Sequence, residues 1–418
     1  MSRLPTTAVV VEPLGISDKL SLAWRIPLLG GSHAFLQFES LHWKALTSPG
    51  TVIRCASNFA SLCLSTHEVA GLHWRQKLAL SYLLASRVTF TRKQQAQTRK
   101  VLTGPRIQEY CRRHSLHHRA VSVDSASLYN DRNIPNPVLH FVTPPVPQPG
   151  GPTIFYFHGG GYHNPIKAAG HVPFTLQCAA ASKAQQVVFL EYSFSPEQHY
   201  PCQLVQAVAG LRYLLDQESI QAENIILGGD SAGGHLVASL LTHIIHPSPY
   251  APSIDLGGHQ FKAVLLVSPW MAMTKEEIRD LPRAHNDYLN QESVVRFWNM
   301  FRPGANEVWS NQCETQDAVA VWKRLFPGGN GHAISRKAIL AVGTAEILFD
   351  SCVSFGRDCM GFESIYVDGQ PGLDLVKKTD FVLAIAPGEA HVQPAIDCAL
   401  KYYDGRMMRA IWTFLKAC

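Results

Sequence analysis

A serine within a glycine-rich pentapeptide is the first candidate for chemistry. Ser231 is the centre of residues 229–233 (GDSAG), which follow a predicted strand, 224–228, and open a predicted helix. A serine at a sharp strand-to-helix turn needs small neighbours and a strained backbone, which together leave its hydroxyl exposed above the sheet. The pattern predicts that Ser231 is a nucleophile. For the pentapeptide by itself, the alternative is a glycine-rich turn with an incidental serine.

A histidine followed by three glycines ends another predicted strand, 154–157, in the segment HGGGY at 158–162. Acyl transfer passes through a tetrahedral anion, and fixed N–H donors aimed at that anion are a large catalytic contribution, about 2.7–4 kcal/mol for one donor. Glycines can turn their N–H groups inward because no side chain obstructs them. The segment, together with the N–H of Ala232 after the nucleophile, predicts an oxyanion hole. A phosphate-binding loop is the competing interpretation, but the lysine of that motif is absent.

A serine nucleophile requires a general base and an orienting acid later in the chain. His391 follows the last predicted strand, 381–385, and no histidine comes after it. The predicted strand 338–342 is followed by Glu346 and Asp350, and their spacing leaves the choice of acid open.

Short apolar runs alternate with helical stretches from about residue 119 onward, which predicts a mostly parallel, twisted α/β sheet flanked by helices. Residues 1–118 show helical spacing (Leu20 to Ile26, then Leu78 to Val88) and are predicted to form an N-terminal helical extension. Residues 119–418 are the predicted catalytic domain. Residues 271–333, which contain three tryptophans and no clear strand, are predicted to be a helical cap insertion.

The composition, with 46% hydrophobic and 17% charged residues, excludes a disordered chain. Ten cysteines without a C-x-x-C pair give no metal or redox motif, and neither a secretory signal nor a membrane-spanning stretch is recognisable. We therefore expect an intracellular protein, cytoplasmic or peripherally membrane-associated, that needs no metal or cofactor.

The net charge of +5 arises from residues 92–119, which hold eight basic residues and one acid, so the rest of the chain sums to −2. The first interpretation of these basic residues is that they form a helical face exposed to solvent. The second is peripheral membrane contact through residues 78–119, because apolar residues precede the basic ones. Nucleic-acid binding is not expected, since no recognition motif is present.

These motifs resemble the α/β-hydrolase fold, in its hormone-sensitive-lipase-like esterase branch, over about residues 120–418. The segments 191–204 and 268–270 are similar to fungal members, including hydrolases of secondary metabolism. The resemblance implies Glu346 as the acid, with Asp350 supporting it, and Gly160 and Gly161 as oxyanion donors beside Ala232. Glutamate stands here where most members have aspartate.

Several neighbours of these residues have two interpretations. Asp230, Glu197 and His158 are expected to hold the turns by hydrogen bonds, in support of the site together with Gly159. Tyr162 and His163 either face the acyl pocket or pack. The predicted function is a serine hydrolase that cleaves a small apolar ester, for example an acetyl or short acyl ester, through an acyl-enzyme. A lyase, cyclase or acyl transferase on the same fold is the alternative, and a catalytically inactive interaction module is a third.

Overall fold

One twisted sheet of nine strands organises the part of the chain that the computed structural model describes, namely residues 49–64, 71–89, 96–125, 134–271, 286–304, 306–327 and 333–418. The strands are β1 (His118–Ser122), β2 (Val138–Val142), β3 (Thr153–Phe157), β4 (Gln186–Glu191), β5 (Ile225–Asp230), β6 (Ala263–Val267), β7 (Ala338–Gly343), β8 (Glu363–Tyr366) and β9 (Phe381–Ala386). Their order is β1-β2-β4-β3-β5-β6-β7-β9-β8. β2 runs antiparallel to β1 and β4, and the remaining pairs are parallel.

Helices cover both faces of this sheet, which is why every residue of β3, β5, β6 and β7 is buried. The described α-helices are α1 (Pro49–Leu64), α2 (Trp74–Thr89), α3 (Thr103–Arg113), α4 (Ala168–Ser182), α5 (Cys202–Asp216), α6 (Ala232–Ile245), α7 (Gln291–Phe301), α8 (Ala318–Leu325), α9 (Phe349–Ser354), α10 (Gln370–Lys378), α11 (Gln393–Ala399) and α12 (Arg406–Lys416). One apolar core contains residues of α5, α6 and α9, and the other contains residues of α3, α4, α10, α11 and α12. The predicted fold class is confirmed.

Two details differ from the sequence prediction. β5 extends to Asp230, so the predicted turn contains a single residue, Ser231, before α6 begins. β8 is absent from the predicted strands because it is short, lies at the sheet edge and buries only Ile365. An edge strand with one buried residue lacks the apolar run by which the central strands are recognised.

The chain between β6 and β7 contributes α7 and α8 among its described residues. The Asn290 side chain accepts a hydrogen bond from the Ser293 N–H at 3.0 Å and so caps the start of α7. Phe301, at the end of α7, packs on Tyr162 with the two rings stacked 4.1 Å apart. The helices therefore rest on the loop that follows β3, as a cap would. The exact bounds of the cap and of the extension stay predictions.

The N-terminal helices pack on the catalytic part of the chain. Leu80 of α2 is fully buried in a cluster that includes Ala345 and Ala390, which lie in the loops after β7 and β9. Ala85 is buried too. Leu80 and Ala85 are thus buried inside the protein, whereas Val88 is exposed, and peripheral membrane contact through residues 78–119 stays a prediction. The predicted helical pattern at Leu20 to Ile26 falls outside the described residues.

The basic segment is only partly a solvated face. Arg99 and Arg106 are buried and donate to main-chain carbonyls of the catalytic part, while Arg119 pairs with Glu218 at 3.0 Å. Arg112 is exposed and pairs with Glu109. The interpretation as a solvated face is therefore wrong for Arg99 and Arg106. None of the helices in the described ranges has the length and apolarity needed to cross a membrane.

Candidate active site

The nucleophile turn is a strained junction between β5 and α6. Ser231 has φ 51° and ψ −122°, a conformation that costs a residue with a Cβ about 1–3 kcal/mol. The strain is held from both sides, because the Ser231 N–H donates to the Val267 carbonyl at 2.9 Å and the Ser231 carbonyl accepts from the Trp270 N–H at 3.0 Å. Gly233 lies against the Phe157 carbonyl, where a Cβ would collide. The local sequence therefore permits the sharp turn that presents the hydroxyl.

Three side chains predicted from the sequence form one hydrogen-bonded chain. Ser231 Oγ lies 2.9 Å from His391 Nε2, and His391 Nδ1 lies 3.0 Å from Glu346 Oε2. With its Nδ1–H donating to the carboxylate, the imidazole keeps Nε2 free to accept the serine proton. All three residues are less than 9% exposed. The three side chains lie on segments that follow β5, β9 and β7, in the arrangement that a nucleophile, a base and an orienting acid require.

The electrostatics of His391 favour a strong base. Burial by itself lowers the pKa of the imidazole, but the hydrogen bond and charge of Glu346, with the charges of Asp287 and Asp230, outweigh burial and raise the pKa of His391 above its ordinary value. A raised pKa means that the imidazolium formed on taking the serine proton is stabilised by the site. Activity that needs neutral His391 is consequently lost as the pH falls through the raised value.

The loop after β3 carries unpaired main-chain donors. The N–H groups of Gly160, Gly161 and Ala232 donate to no acceptor among the described residues. Gly161 has φ +62°, and an added Cβ would run into the ring of Phe297 from α7. The close approach of this ring explains why the position requires glycine. This arrangement leaves the three N–H groups able to donate to an oxyanion, and their catalytic role stays a prediction.

Asp230 holds this loop to the nucleophile turn. Its carboxylate accepts from the Gly159 N–H at 3.0 Å, from the Tyr156 hydroxyl at 2.9 Å and from His171 Nε2–H at 3.2 Å. Burial alone would raise the pKa of Asp230, but the charge and hydrogen bond of His171 and the bond from Tyr156 keep this pKa below its ordinary value. The arrangement agrees with a structural role for Asp230.

His158 anchors the start of the same loop. Its Nδ1–H donates to the Gly159 carbonyl at 2.6 Å, and its Nε2 accepts from the Thr103 hydroxyl at 3.0 Å. Burial lowers the pKa of His158 to about 4, so the ring is neutral at physiological pH.

Tyr162 packs instead of facing an open pocket, since it is fully buried and its hydroxyl donates to His235 Nδ1 at 2.7 Å.

Hydrogen bonds from residues other than Asp350 hold the Glu346 carboxylate, and the supporting role that the resemblance implied for Asp350 stays a prediction. Asp350 is exposed on the first turn of α9, whereas the second carboxylate oxygen of Glu346 accepts from the Ser268 hydroxyl at 2.6 Å and the Gly343 N–H at 2.7 Å. Four residues beyond Glu346, the helix has turned the side chain outward. In the structure, Ser268 bonds to Glu346 directly, and Asp287 bonds to the N–H of the residue after it.

Two further residues were missed by the sequence analysis. Asp287, from the cap segment, is fully buried and accepts from the N–H groups of Ile347 and His391. Arg99 donates to the carbonyls of His163 and Ser195 and pairs with Glu197 at 2.6 Å. Neither residue lies in a recognisable motif, although Arg99 belongs to the basic segment that the charge distribution singled out. Glu197 is thus a structural partner, in agreement with its expected role.

Comparisons with known proteins agree with this architecture. Residues 154–343 match a family model described as the alpha/beta hydrolase fold. Mouse arylacetamide deacetylase is 26% identical over 156 residues, which cover 35% of this chain and 37% of the relative. The putative acetyl-hydrolase LipR of Mycobacterium tuberculosis is 32% identical over 129 residues, which cover 31% of this chain and 38% of the relative. The chain thus spans less than two fifths of the length of these curated relatives.

The structure of an esterase from the bacterial hormone-sensitive lipase family superposes with a TM-score of 0.55 at 19% identity, over 83% of this chain and 98% of that one. The family match and this superposition show that the chain has the α/β-hydrolase fold. The neighbour that carries the hormone-sensitive lipase family name shares this fold, and the curated relatives carry the names of a deacetylase and an acetyl-hydrolase.

Proposed function

We propose that this chain hydrolyses carboxylic esters through an acyl-enzyme on Ser231. His391 Nε2 takes the hydroxyl proton while Ser231 Oγ bonds to the ester carbonyl carbon, and Glu346 stabilises the resulting imidazolium. The N–H groups of Gly160, Gly161 and Ala232 donate to the anionic oxygen. As the tetrahedral intermediate collapses, His391 gives its proton to the leaving alcohol. Water, deprotonated by His391, then releases the acyl group and restores the serine.

The single observation that carries the proposal is the hydrogen-bonded chain from Ser231 through His391 to Glu346, with Oγ–Nε2 and Nδ1–Oε2 distances of 2.9 and 3.0 Å. The strained turn at Ser231 and the unpaired N–H groups beside it add support, because a purely structural serine needs neither.

We propose as substrate a small apolar ester with an acetyl or short acyl group. The Phe297 ring lies over Gly161, and the Tyr288 ring lies 6.0 Å from the His391 ring, so aromatic surfaces adjoin the reacting atoms. The names of the two curated relatives, a deacetylase and an acetyl-hydrolase, support the short acyl group. The membership of a fungal secondary-metabolite pathway stays a prediction.

The test measures hydrolysis of p-nitrophenyl acetate, butyrate and longer esters by the protein and by Ser231→Ala. Loss of the nucleophile should lower kcat by about 10⁵- to 10⁶-fold. Ser239→Ala is the matched control, because Ser239 is a buried serine two turns further along α6 that bonds to the His235 carbonyl. A Ser231→Ala protein that retains the parental rate contradicts the proposal.

Mass spectrometry after a fluorophosphonate probe should find one adduct, on Ser231. With ester metabolites, loss of the acyl mass indicates hydrolysis, whereas a product of unchanged mass indicates isomerisation on the same fold. An absent adduct together with absent turnover would favour an interaction module.

A further inference from the structure

Asp287 is a buried carboxylate that no motif indicates. It lies in the cap segment, three residues before the cap of α7, and its side chain is fully buried. Burying a carboxylate is costly unless hydrogen bonds compensate for the lost water. The partners of this carboxylate therefore indicate what the residue does in the fold.

The carboxylate accepts three main-chain hydrogen bonds from three different loops. Oδ1 accepts from the N–H of Leu289 at 3.2 Å and from the N–H of His391 at 3.4 Å, and Oδ2 accepts from the N–H of Ile347 at 3.0 Å. His391 is the proposed base, and Ile347 follows the proposed acid, Glu346. One side chain of the cap thus joins the backbones of the two loops that carry the acid and the base.

The main chain of Asp287 is itself tied to the N-terminal helices, because its carbonyl accepts from Arg87 Nη1 of α2 at 3.2 Å. Asp287 is therefore held through its main-chain carbonyl as well as through its carboxylate. This arrangement suits a group that transmits the position of the cap and the extension to the triad.

The charge of Asp287 also acts on the base. Burial raises the pKa of Asp287 to about 6, partly offset by the charge of His391, so the carboxylate is ionised above that pH. Its negative charge is one of the causes that raise the pKa of His391. The charged and titratable groups near Asp287 are Glu346 after β7, His391 after β9, Tyr288 on its own loop and Arg87 on α2, and the charge of Asp230 at the end of β5 acts on His391 and Tyr288.

We propose that Asp287 is a positioning residue that holds Glu346 and His391 in their reactive geometry through their backbones. This inference rests on the proposed esterase function. Displacement of a reacting group by about 1 Å can cost about 100-fold in rate, so a residue that holds both loops has a large effect without touching the substrate.

The test is Asp287→Asn, assayed on p-nitrophenyl butyrate across pH and normalised to sites titrated with a fluorophosphonate. The asparagine amide has one oxygen that accepts and one NH2 group that only donates, so at least one of the loops loses its hydrogen bond to this side chain. We expect kcat per titrated site to fall about 10-fold or more while KM changes little. We also expect the acid limb of kcat/KM to move to lower pH, since loss of the negative charge lowers the pKa of His391.

Asp287→Glu, which restores the charge, should return the acid limb toward its original pH. The matched control is Asp397→Asn, which changes a buried carboxylate on α11 whose side chain contacts Gln76 and Gln393. Burial and the Glu389 charge raise the pKa of Asp397 well above its ordinary value, and among the described residues its carboxylate bonds to these two glutamines, not to the acid or the base of the proposed triad. We expect Asp397→Asn to keep both kcat and the acid limb.

The outcomes separate the two proposals. If the unaltered protein neither hydrolyses esters nor takes the probe, the proposed function fails. If the unaltered protein is active and Asp287→Asn loses only thermal stability, with kcat per titrated site and the acid limb unchanged, the positioning role is overturned. If Asp287→Asn does not fold, the acid limb of Asp287→Glu decides, and a limb shifted to lower pH despite the retained charge contradicts the proposal.

Discussion

Ser268→Ala tests whether the acid of the triad depends on one buried hydroxyl. Ser268 follows β6, is fully buried, donates from Oγ to Glu346 Oε1 at 2.6 Å and accepts at Oγ from the Val392 N–H at 3.1 Å. The same oxygen thus joins Glu346 to the residue beside His391. Serine and alanine both carry a Cβ, so the positive φ of 46° at this position costs each the same.

The substitution removes a hydrogen bond to a charged group, which contributes about 1.5–3 kcal/mol, and leaves a buried N–H without its partner, at about 1–3 kcal/mol. Because neighbouring groups relax, we expect the free energy of unfolding to fall by about 3 kcal/mol, near the lower end of that sum. Glu346 keeps the Gly343 N–H and His391 as partners, so the triad still forms, but the Glu346 carboxylate is held less firmly. We expect kcat to fall about 10- to 100-fold.

Urea denaturation measures the free energy of unfolding, and p-nitrophenyl butyrate hydrolysis per titrated site measures kcat. Ser335→Ala is the control, since Ser335 is fully buried but donates to the carbonyls of Phe261 and Lys337, away from the triad. The control should lose about 1 kcal/mol and no activity. If Ser268→Ala matched the control in both measurements, the argument that Ser268 positions the acid would be refuted.

Two further predictions concern the oxyanion loop. Gly161→Ala places a Cβ against the Phe297 ring at φ +62°, so kcat for p-nitrophenyl butyrate should fall about 10-fold or more. Adding Phe297→Ala to this variant should recover part of the lost activity, and full activity of Gly161→Ala would contradict the assigned geometry. Arg99→Ala leaves Glu197 without its buried partner, so the free energy of unfolding measured with urea should fall by about 3 kcal/mol, together with a lower kcat. Arg112→Ala removes an exposed ion pair and should leave the urea midpoint unchanged, so equal midpoints for the two variants would count against the Arg99 contact.

The parts of the site that the sequence predicts are those with a local signature. Ser231 and the glycines of residues 159–161 stand in short motifs next to strongly apolar strands, and His391 directly follows the last strand. Strand ends of a parallel sheet lie at one edge, so residues that follow neighbouring strands come together in space. The order of the motifs is enough to anticipate the proposed triad.

The parts that the sequence does not predict depend on long-range contacts. Ser268 meets Glu346 across 78 residues, and Asp287 meets His391 across 104 residues. No local pattern distinguishes either residue from other buried serines or loop aspartates. The resemblance implied that Asp350 supports Glu346, and the structure places Asp350 exposed on the first turn of α9.

Gln76 of α2 donates from its amide to Asp397 at 2.9 Å and to Glu389 at 3.4 Å, so α2 is completed by residues 321 and 313 positions later. At a synthesis rate of about 5–20 residues per second, α2 leaves the ribosome roughly 15 to 60 seconds before those partners do. During that interval the buried face of α2, with Leu80 at its centre, has no catalytic core to pack against. Among the described helices, α2 is therefore exposed early to chaperones and to aggregation, and it can complete these contacts only when α11 has been made.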